Sequence, residues 1–180
     1  MPATSPRLLG GPGGLIEPLV AGTTALFGDL VTGGAALGWL DPPARAEVAD
    51  LLHEVAARVP AGDAALAVAE DDDGLAGIGW WRRYGRPTYR RNADLERLAV
   101  ARRAQGHGLG RALTGLLVGA AKDADVEHLT LDLRGDNAPA LGLYRSMGFR
   151  EHGRLPGFVA VGELRFDAVL CVLDLTPQVL

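Results

Sequence analysis

At 180 residues, 48% of them hydrophobic, the chain is sized for one domain whose core can stand without disulfides or a structural metal. Its formal charge of −4 offers no overall attraction to nucleic acid or an anionic membrane, which favours small-molecule chemistry over polyanion binding. The lone Cys171 has no disulfide partner, and no Cys/His cluster has zinc-ligand spacing, so a metal-free protein of a reducing cytoplasm is expected. There is no basic start followed by an apolar core and cleavage site. No apolar run approaches the roughly 20 residues of a membrane span, so no membrane contact is expected.

Residues 1–14 carry Gly10-Gly11-Pro12-Gly13-Gly14 and are expected to be flexible apart from a short edge strand, leaving 15–180 as the single folded domain. Leu15 to Leu30 predicts a helix, broken by the glycine-rich run from Thr32 to Trp39. That run fits two roles: a pocket wall in which Gly34 and Trp39 meet a substrate, or a tight connection with Trp39 plugging the core. Asp41 is placed to cap a second helix begun by Pro42 and Pro43, along which Val48, Leu51, Leu52, Val55 and Val59 recur at helical spacing. After Pro60 the pattern turns extended, with strands over Ala65–Glu70 and Leu75–Tyr84 joined through Asp71-Asp72-Asp73-Gly74. A strand over Leu95–Val100 leads through a glycine-rich turn into a helix striped by Leu109, Leu113, Leu116 and Leu117. From Glu127 to Arg134, leucines at 129, 131 and 133 alternate with His128, Thr130, Asp132 and Arg134, which sets one face against the core and the other against a polar space. A short helix from Asn137 to Met147 and strands near Phe149–Gly153 and Phe166–Leu175 complete a mixed sheet flanked by helices.

The segment Gln105-Gly106-His107-Gly108-Leu109-Gly110-Arg111 lies between a strand and a helix, so its backbone N–H groups gather at a positive helix N-terminus. Glycines there allow positive φ and close approach of a phosphate, although a glycine cluster alone also serves simply to turn the chain. Arg111 stands where a dinucleotide fingerprint needs its third glycine, and Gly110 is not followed by the Lys of a P-loop.

The run from Leu98 to Val100 followed by Gln105, Gly108 and Gly110 resembles the acyl-CoA motif Q/R-x-x-G-x-G/A of the GNAT acetyltransferases. Asn137-Ala138-Pro139-Ala140-Leu141-Gly142-Leu143-Tyr144-Arg145-Ser146-Met147-Gly148-Phe149 resembles the segment that follows it in that superfamily. A looser resemblance, through Gly33-Gly34-Ala35, Asn92 to Leu98 and Leu155-Pro156-Gly157-Phe158, points to the tabtoxin-resistance acetyltransferases. The resemblance implies an α/β fold of the α+β type: a mixed, mostly antiparallel sheet flanked by helices, with a splayed pair of parallel strands holding acyl-CoA. It further implies that Leu98, Ala99 and Val100 pair with the pantetheine arm and that Gln105, Gly106, His107, Gly108, Leu109, Gly110 and Arg111 hold the pyrophosphate. Asn137 would contact the coenzyme as well as cap its helix, and Tyr144 would protonate the departing thiolate.

Attack by an amine on the thioester requires loss of the ammonium proton. Asp94 is the first candidate acceptor: the resemblance implies a catalytic carboxylate at its position, four residues before the first coenzyme-pairing residue, and it shares strand parity with Glu96, Leu98 and Val100. Asp132, on the polar face of the next strand, is the second and Glu96 the third. The loops Gly33–Trp39 and Leu155–Phe158 are expected to line the acceptor site, with Gly34, Trp39 and Phe158 as substrate residues. The stretch from Trp80 to Arg91 reads as an exposed basic, aromatic hairpin; His107 is expected to face solvent and Cys171 the core. The expected activity is therefore acetyl transfer from acetyl-CoA to a primary amine of a metabolite, amino acid or antibiotic, by direct attack and without nucleic acid; a homodimer is open to it. A non-catalytic acyl-CoA-binding module and an enzyme acting on protein amines are the alternatives.

Overall fold

The computed structural model describes residues 5–177, so the first four residues of the expected flexible segment lie outside it. A short strand β1 (Arg7–Leu8) leads into helices α1 (Glu17–Thr32) and α2 (Arg45–Arg58). Strands β2 (Ala64–Asp71), β3 (Gly74–Arg83) and β4 (Asn92–Val100) follow, then α3 (Leu109–Asp123), β5 (His128–Arg134), α4 (Ala138–Ser146), β6 (Arg150–Val161) and β7 (Leu164–Asp174). The seven strands form one sheet in the order β1-β2-β3-β4-β5-β7-β6. Neighbours are antiparallel except β4 and β5, which run parallel. This is the mixed, mostly antiparallel sheet expected from the sequence.

Apolar residues on the two faces of the sheet build two cores. On one face Phe27, Leu52, Leu66, Ile78 and Trp80 pack beneath α1 and α2; on the other, Trp81, Leu113, Leu117, Leu129 and Phe149 pack beneath α3 and α4. Adjacent tryptophans on β3 thus anchor opposite cores, as strand alternation requires. The expected exposed hairpin is wrong at its start, because Trp80 and Trp81 are 0% and 1% exposed. Several of its arginines are also taken: Arg82 pairs with Glu54 and Glu96, Arg90 with Asp63, and Arg91 with Glu127. The Trp81 indole donates to the Leu117 carbonyl of α3 at 3.0 Å. Trp81→Ala is expected to cost about 3–5 kcal/mol in urea denaturation, and a loss under about 1 kcal/mol would contradict this core assignment.

Three sequence expectations need correction. Helix α2 begins at Arg45 with Ala44 as N-cap and no side-chain cap, so Asp41, Pro42 and Pro43 belong to the preceding connection. Leu155-Pro156-Gly157-Phe158 is not a loop: β6 runs through it to Val161, and the shift in its pairing with β7 between Leu155 and Val159 absorbs Pro156 and the positive φ of Gly157. The parity argument for Asp94 also fails. Trp80 pairs with Arg97 and Trp81 with Leu95, so Glu96 is an extra residue at a bulge and the side chains change face there. Ala93 and Leu95 consequently share the α3 core with Leu98 and Val100, whereas Ala99 joins the α1/α2 core.

Candidate active site

The cleft at the centre of the sheet arises from strand pairing. Strands β4 and β5 pair only through Asn92↔His128, Ala93↔Leu129 and Asp94↔Thr130. Beyond Asp94, β4 stays with β3 as far as Val100 while β5 stays with β7 as far as Arg134, so the two strands diverge. The edge of β4 facing the gap is left free to pair with an extended ligand. A cavity of about 730 Å³ fills the gap and the space above it.

Most of the sequence-nominated binding residues converge on this cavity. Leu98, Val100, Gln105, Gly106, Gly108, Leu109, Gly110, Arg111 and Asn137 form its walls, and Gly34 joins them from the α1–α2 connection. Ala99 and His107 are not among the walls; Ala99 turns into the α1/α2 core and His107 is exposed. Gly106 and Gly108 take φ of +77° and +84°, in the left-handed region that glycine enters without strain. Gly108 is the N-cap of α3 and offers no side-chain cap, so the first N–H groups of the helix stay available to an anion at the cavity mouth. Gln105 Nε2 donates to the Val100 carbonyl at 2.9 Å and ties the loop to β4. The Arg111 guanidinium donates to Ser146 Oγ of α4. Asn137 caps α4 by accepting from the Ala140 N–H at 3.2 Å while also lining the cavity.

The proton-transfer candidates lie lower in the splay. Asp94 occupies the last paired position, and its Oδ1 accepts from Thr130 Oγ1 at 2.6 Å. Desolvation raises the Asp94 carboxyl above its ordinary value, against the lowering effect of the Thr130 hydroxyl. Glu96 is held between Trp80 Nε1 at 3.1 Å and the Arg82 guanidinium at 2.8 Å, which commits both its oxygens. Asp132 is exposed on the polar face of β5. Tyr144 is buried in α4, edge-on to Phe149 at 5.4 Å, and does not line the large cavity. Burial pushes its phenol well up, so it holds its proton at neutral pH. Burial also raises the Cys171 thiol, leaving little thiolate there to act as a nucleophile.

The α1–α2 connection packs into the core and also borders a cavity. Trp39 packs on Phe27 at 5.4 Å and donates to Glu47 at 2.6 Å, yet with Gly34 it also borders a smaller cavity of about 280 Å³ closed by Val159–Val161 of β6. Phe158 is 70% exposed and is not part of that wall; its neighbour Val159 is. Two arginines that the sequence did not single out reach this region. Arg97, turned by the bulge, lies over the Trp39 ring at 5.0 Å with its Nε buried and unpaired. Arg134 lies over Phe166, pairs with Asp136 and donates to the Gly34 carbonyl at 3.1 Å, linking the end of β5 to the glycine connection. Among the described residues no group of three or more His, Cys, Asp or Glu could hold a metal, and no helix is long and apolar enough to cross a membrane.

Comparison with known proteins agrees with this geometry. The chain is 32% identical over 104 residues to the Bacillus subtilis protein YwnH, provisionally named a phosphinothricin acetyltransferase, covering 57% of this chain and 63% of that one. It is 34% identical over 84 residues to the [ribosomal protein bS18]-alanine N-acetyltransferase of Escherichia coli, covering 47% of this chain and 57% of the relative. The chain thus spans about 60% of the length of these two relatives. A Sinorhizobium meliloti phosphinothricin acetyltransferase solved with acetyl-CoA superposes with a TM-score of 0.80 at 20% identity, over 94% of this chain and 88% of that one, a likeness of fold. The model of the acetyltransferase (GNAT) family matches residues 35–149, from the glycine connection through the splayed strands to the end of the α4 turn, and the chain belongs to that family.

Proposed function

We propose that the protein transfers an acetyl group from acetyl-CoA to the primary amine of a small molecule by direct attack. The observation that carries this reading is the cavity opened between β4 and β5, with a free strand edge on one side and a glycine-lined helix N-terminus at its mouth. In this reading Leu98 and Val100 orient the pantetheine arm, and the N–H groups of the Gln105–Arg111 turn hold the pyrophosphate. The bound coenzyme supplies the activated acyl carbonyl. Asp94 takes the ammonium proton, directly or through a water, and Tyr144 gives a proton to the departing sulfur. The relatives named for phosphinothricin and the enclosed wall formed by Trp39 and Val159–Val161 favour a metabolite acceptor over a peptide.

The test is release of CoA by purified protein against a panel of amino acids, L-phosphinothricin, aminoglycosides and an alanine-initiated bS18 peptide. Turnover of a small amine above the peptide is expected; turnover of the peptide alone would move the acceptor to a protein terminus, and none at all would favour a binding module. Gly108→Val is expected to weaken acetyl-CoA binding by at least about tenfold in calorimetry, because a β-branched residue resists φ of +84° and its side chain would project beside the anion. A folded variant that binds like the parent would displace the phosphate assignment.

A further inference from the structure

Three polar side chains stand in line at the floor of the splay. Thr130 Oγ1 on β5 lies 2.6 Å from Asp94 Oδ1 on β4, and the hydroxyl of Tyr84, the residue after β3, lies 2.6 Å from the same Thr130 Oγ1. Both are short, well-formed contacts between oxygens. The outer end of the line opens on a separate cavity of about 380 Å³, bordered by Tyr84, Tyr89, Thr130, His128 and His152. Asp94 is half-buried at the inner end and belongs to neither cavity wall.

We propose that Thr130 and Tyr84 form a proton relay that returns the proton gathered by Asp94 to water and imidazole groups in this second cavity. The inference rests on Asp94 as the base and deepens that reading, since a partly desolvated carboxyl must lose its proton before it can serve the next turnover. At rest Tyr84 donates to Thr130 and Thr130 donates to the Asp94 carboxylate. After Asp94 is protonated the two hydroxyls rotate. The Asp94 proton then passes to Thr130, the Thr130 proton to Tyr84, and the Tyr84 proton to solvent or a histidine. This transfer leaves the carboxylate ionised and restores the resting orientation of both hydroxyls, with one proton delivered outward and no other bond changed. Burial raises the Tyr84 phenol, so it remains a hydroxyl able to accept and donate at neutral pH. The charged groups that act on Asp94 are Glu96 and Arg97 from β4 and Asp132 from β5; Glu96 is already paired with Arg82.

Thr130 and Tyr84 act through Asp94 and are positioning residues, so the test needs readouts that simple loosening of the site would not move. With the amine from the panel that turns over fastest, Tyr84→Phe and Thr130→Val are expected to lower kcat on the order of tenfold in weak buffer, with KM for acetyl-CoA within about twofold. Imidazole is expected to restore kcat in Tyr84→Phe, and Thr130→Ser to restore it in the Thr130 series. A second measurement needs no acceptor: in carbon-13 NMR of the free protein, both variants are expected to raise the Asp94 titration midpoint, because each removes a hydroxyl that stabilises the carboxylate. Parental kcat in both variants, a loss that imidazole does not repair, or an unmoved Asp94 midpoint would each overturn the relay. If Asp94→Asn is slow while these relay tests fail, the relay alone is lost; if Asp94→Asn turns over like the parent, the base assignment fails and takes the relay with it.

Discussion

Asp94→Asn is expected to lower turnover by about 10²–10⁴-fold while leaving acetyl-CoA affinity nearly intact, and Asp132→Asn to change it by less than about threefold. Both variants are read by CoA release across pH 6–9. The ranking follows from environment: Asp94 is bound by Thr130 at the point where the strands part, whereas Asp132 is exposed on β5. A carboxyl raised by desolvation is a stronger base toward an ammonium than an ordinary one, and the acid limb of the pH–rate profile should lie above the usual carboxylate range. The same shift has a stability consequence. Because the folded state holds the Asp94 proton more tightly than the unfolded chain, this group's contribution is fully present below its ordinary value of 3.8 and is lost as pH rises through the raised folded value. Asp94→Asn should therefore unfold at the same or a higher temperature than the parent at neutral pH, since the amide oxygen can still accept from Thr130. A slow variant that is also destabilised would signal structural damage instead of a lost base; a large loss in Asp132→Asn with none in Asp94→Asn would transfer the role to Asp132.

Tyr144→Phe is expected to cost turnover by a similar 10²–10⁴-fold, with binding of acetyl-CoA and thermal stability close to the parent. The phenyl ring of the variant keeps the edge-on contact with Phe149, so the substitution removes little besides a hydroxyl. Burial keeps the phenol protonated at neutral pH, the form needed to supply a proton to the thiolate. Rates measured with acetyl-CoA at saturation would decide the point, and a Tyr144→Phe protein with parental kcat would reduce Tyr144 to a core residue.

The family and the glycine turn were legible in the letters because local rules govern them. Gly106 and Gly108 do take positive φ, Asn137 does cap α4, and the leucines of α3 and β5 face one core as their periodicity requires. The surroundings of Trp39 and Val159 were much less legible. Phe158 looked like a loop residue because Pro156 and Gly157 flank it, but β6 accommodates both at a register shift. Arg97 and Arg134 gave no motif to notice; their places depend on a bulge and on the distant carbonyl of Gly34. The switch along β4 from apolar odd positions, Ala93 and Leu95, to apolar even positions, Leu98 and Val100, is a sequence signal of the bulge.

By itself the sequence determined the order of strands, glycine turn and helices, and with it the uncapped helix N-terminus at Gly108, because backbone conformation and amphipathic period are set within a few residues along the chain. Only the tertiary structure decided which carboxylate is half-buried beside a hydroxyl, which is paired with arginine and which is exposed. Asp94, Glu96 and Asp132 are alike in composition, but desolvation and hydrogen bonding depend on what β3, β5 and α2 bring beside them. Thr130 lies 36 residues from Asp94 and 46 from Tyr84 along the chain, so strand pairing alone could reveal the line they form.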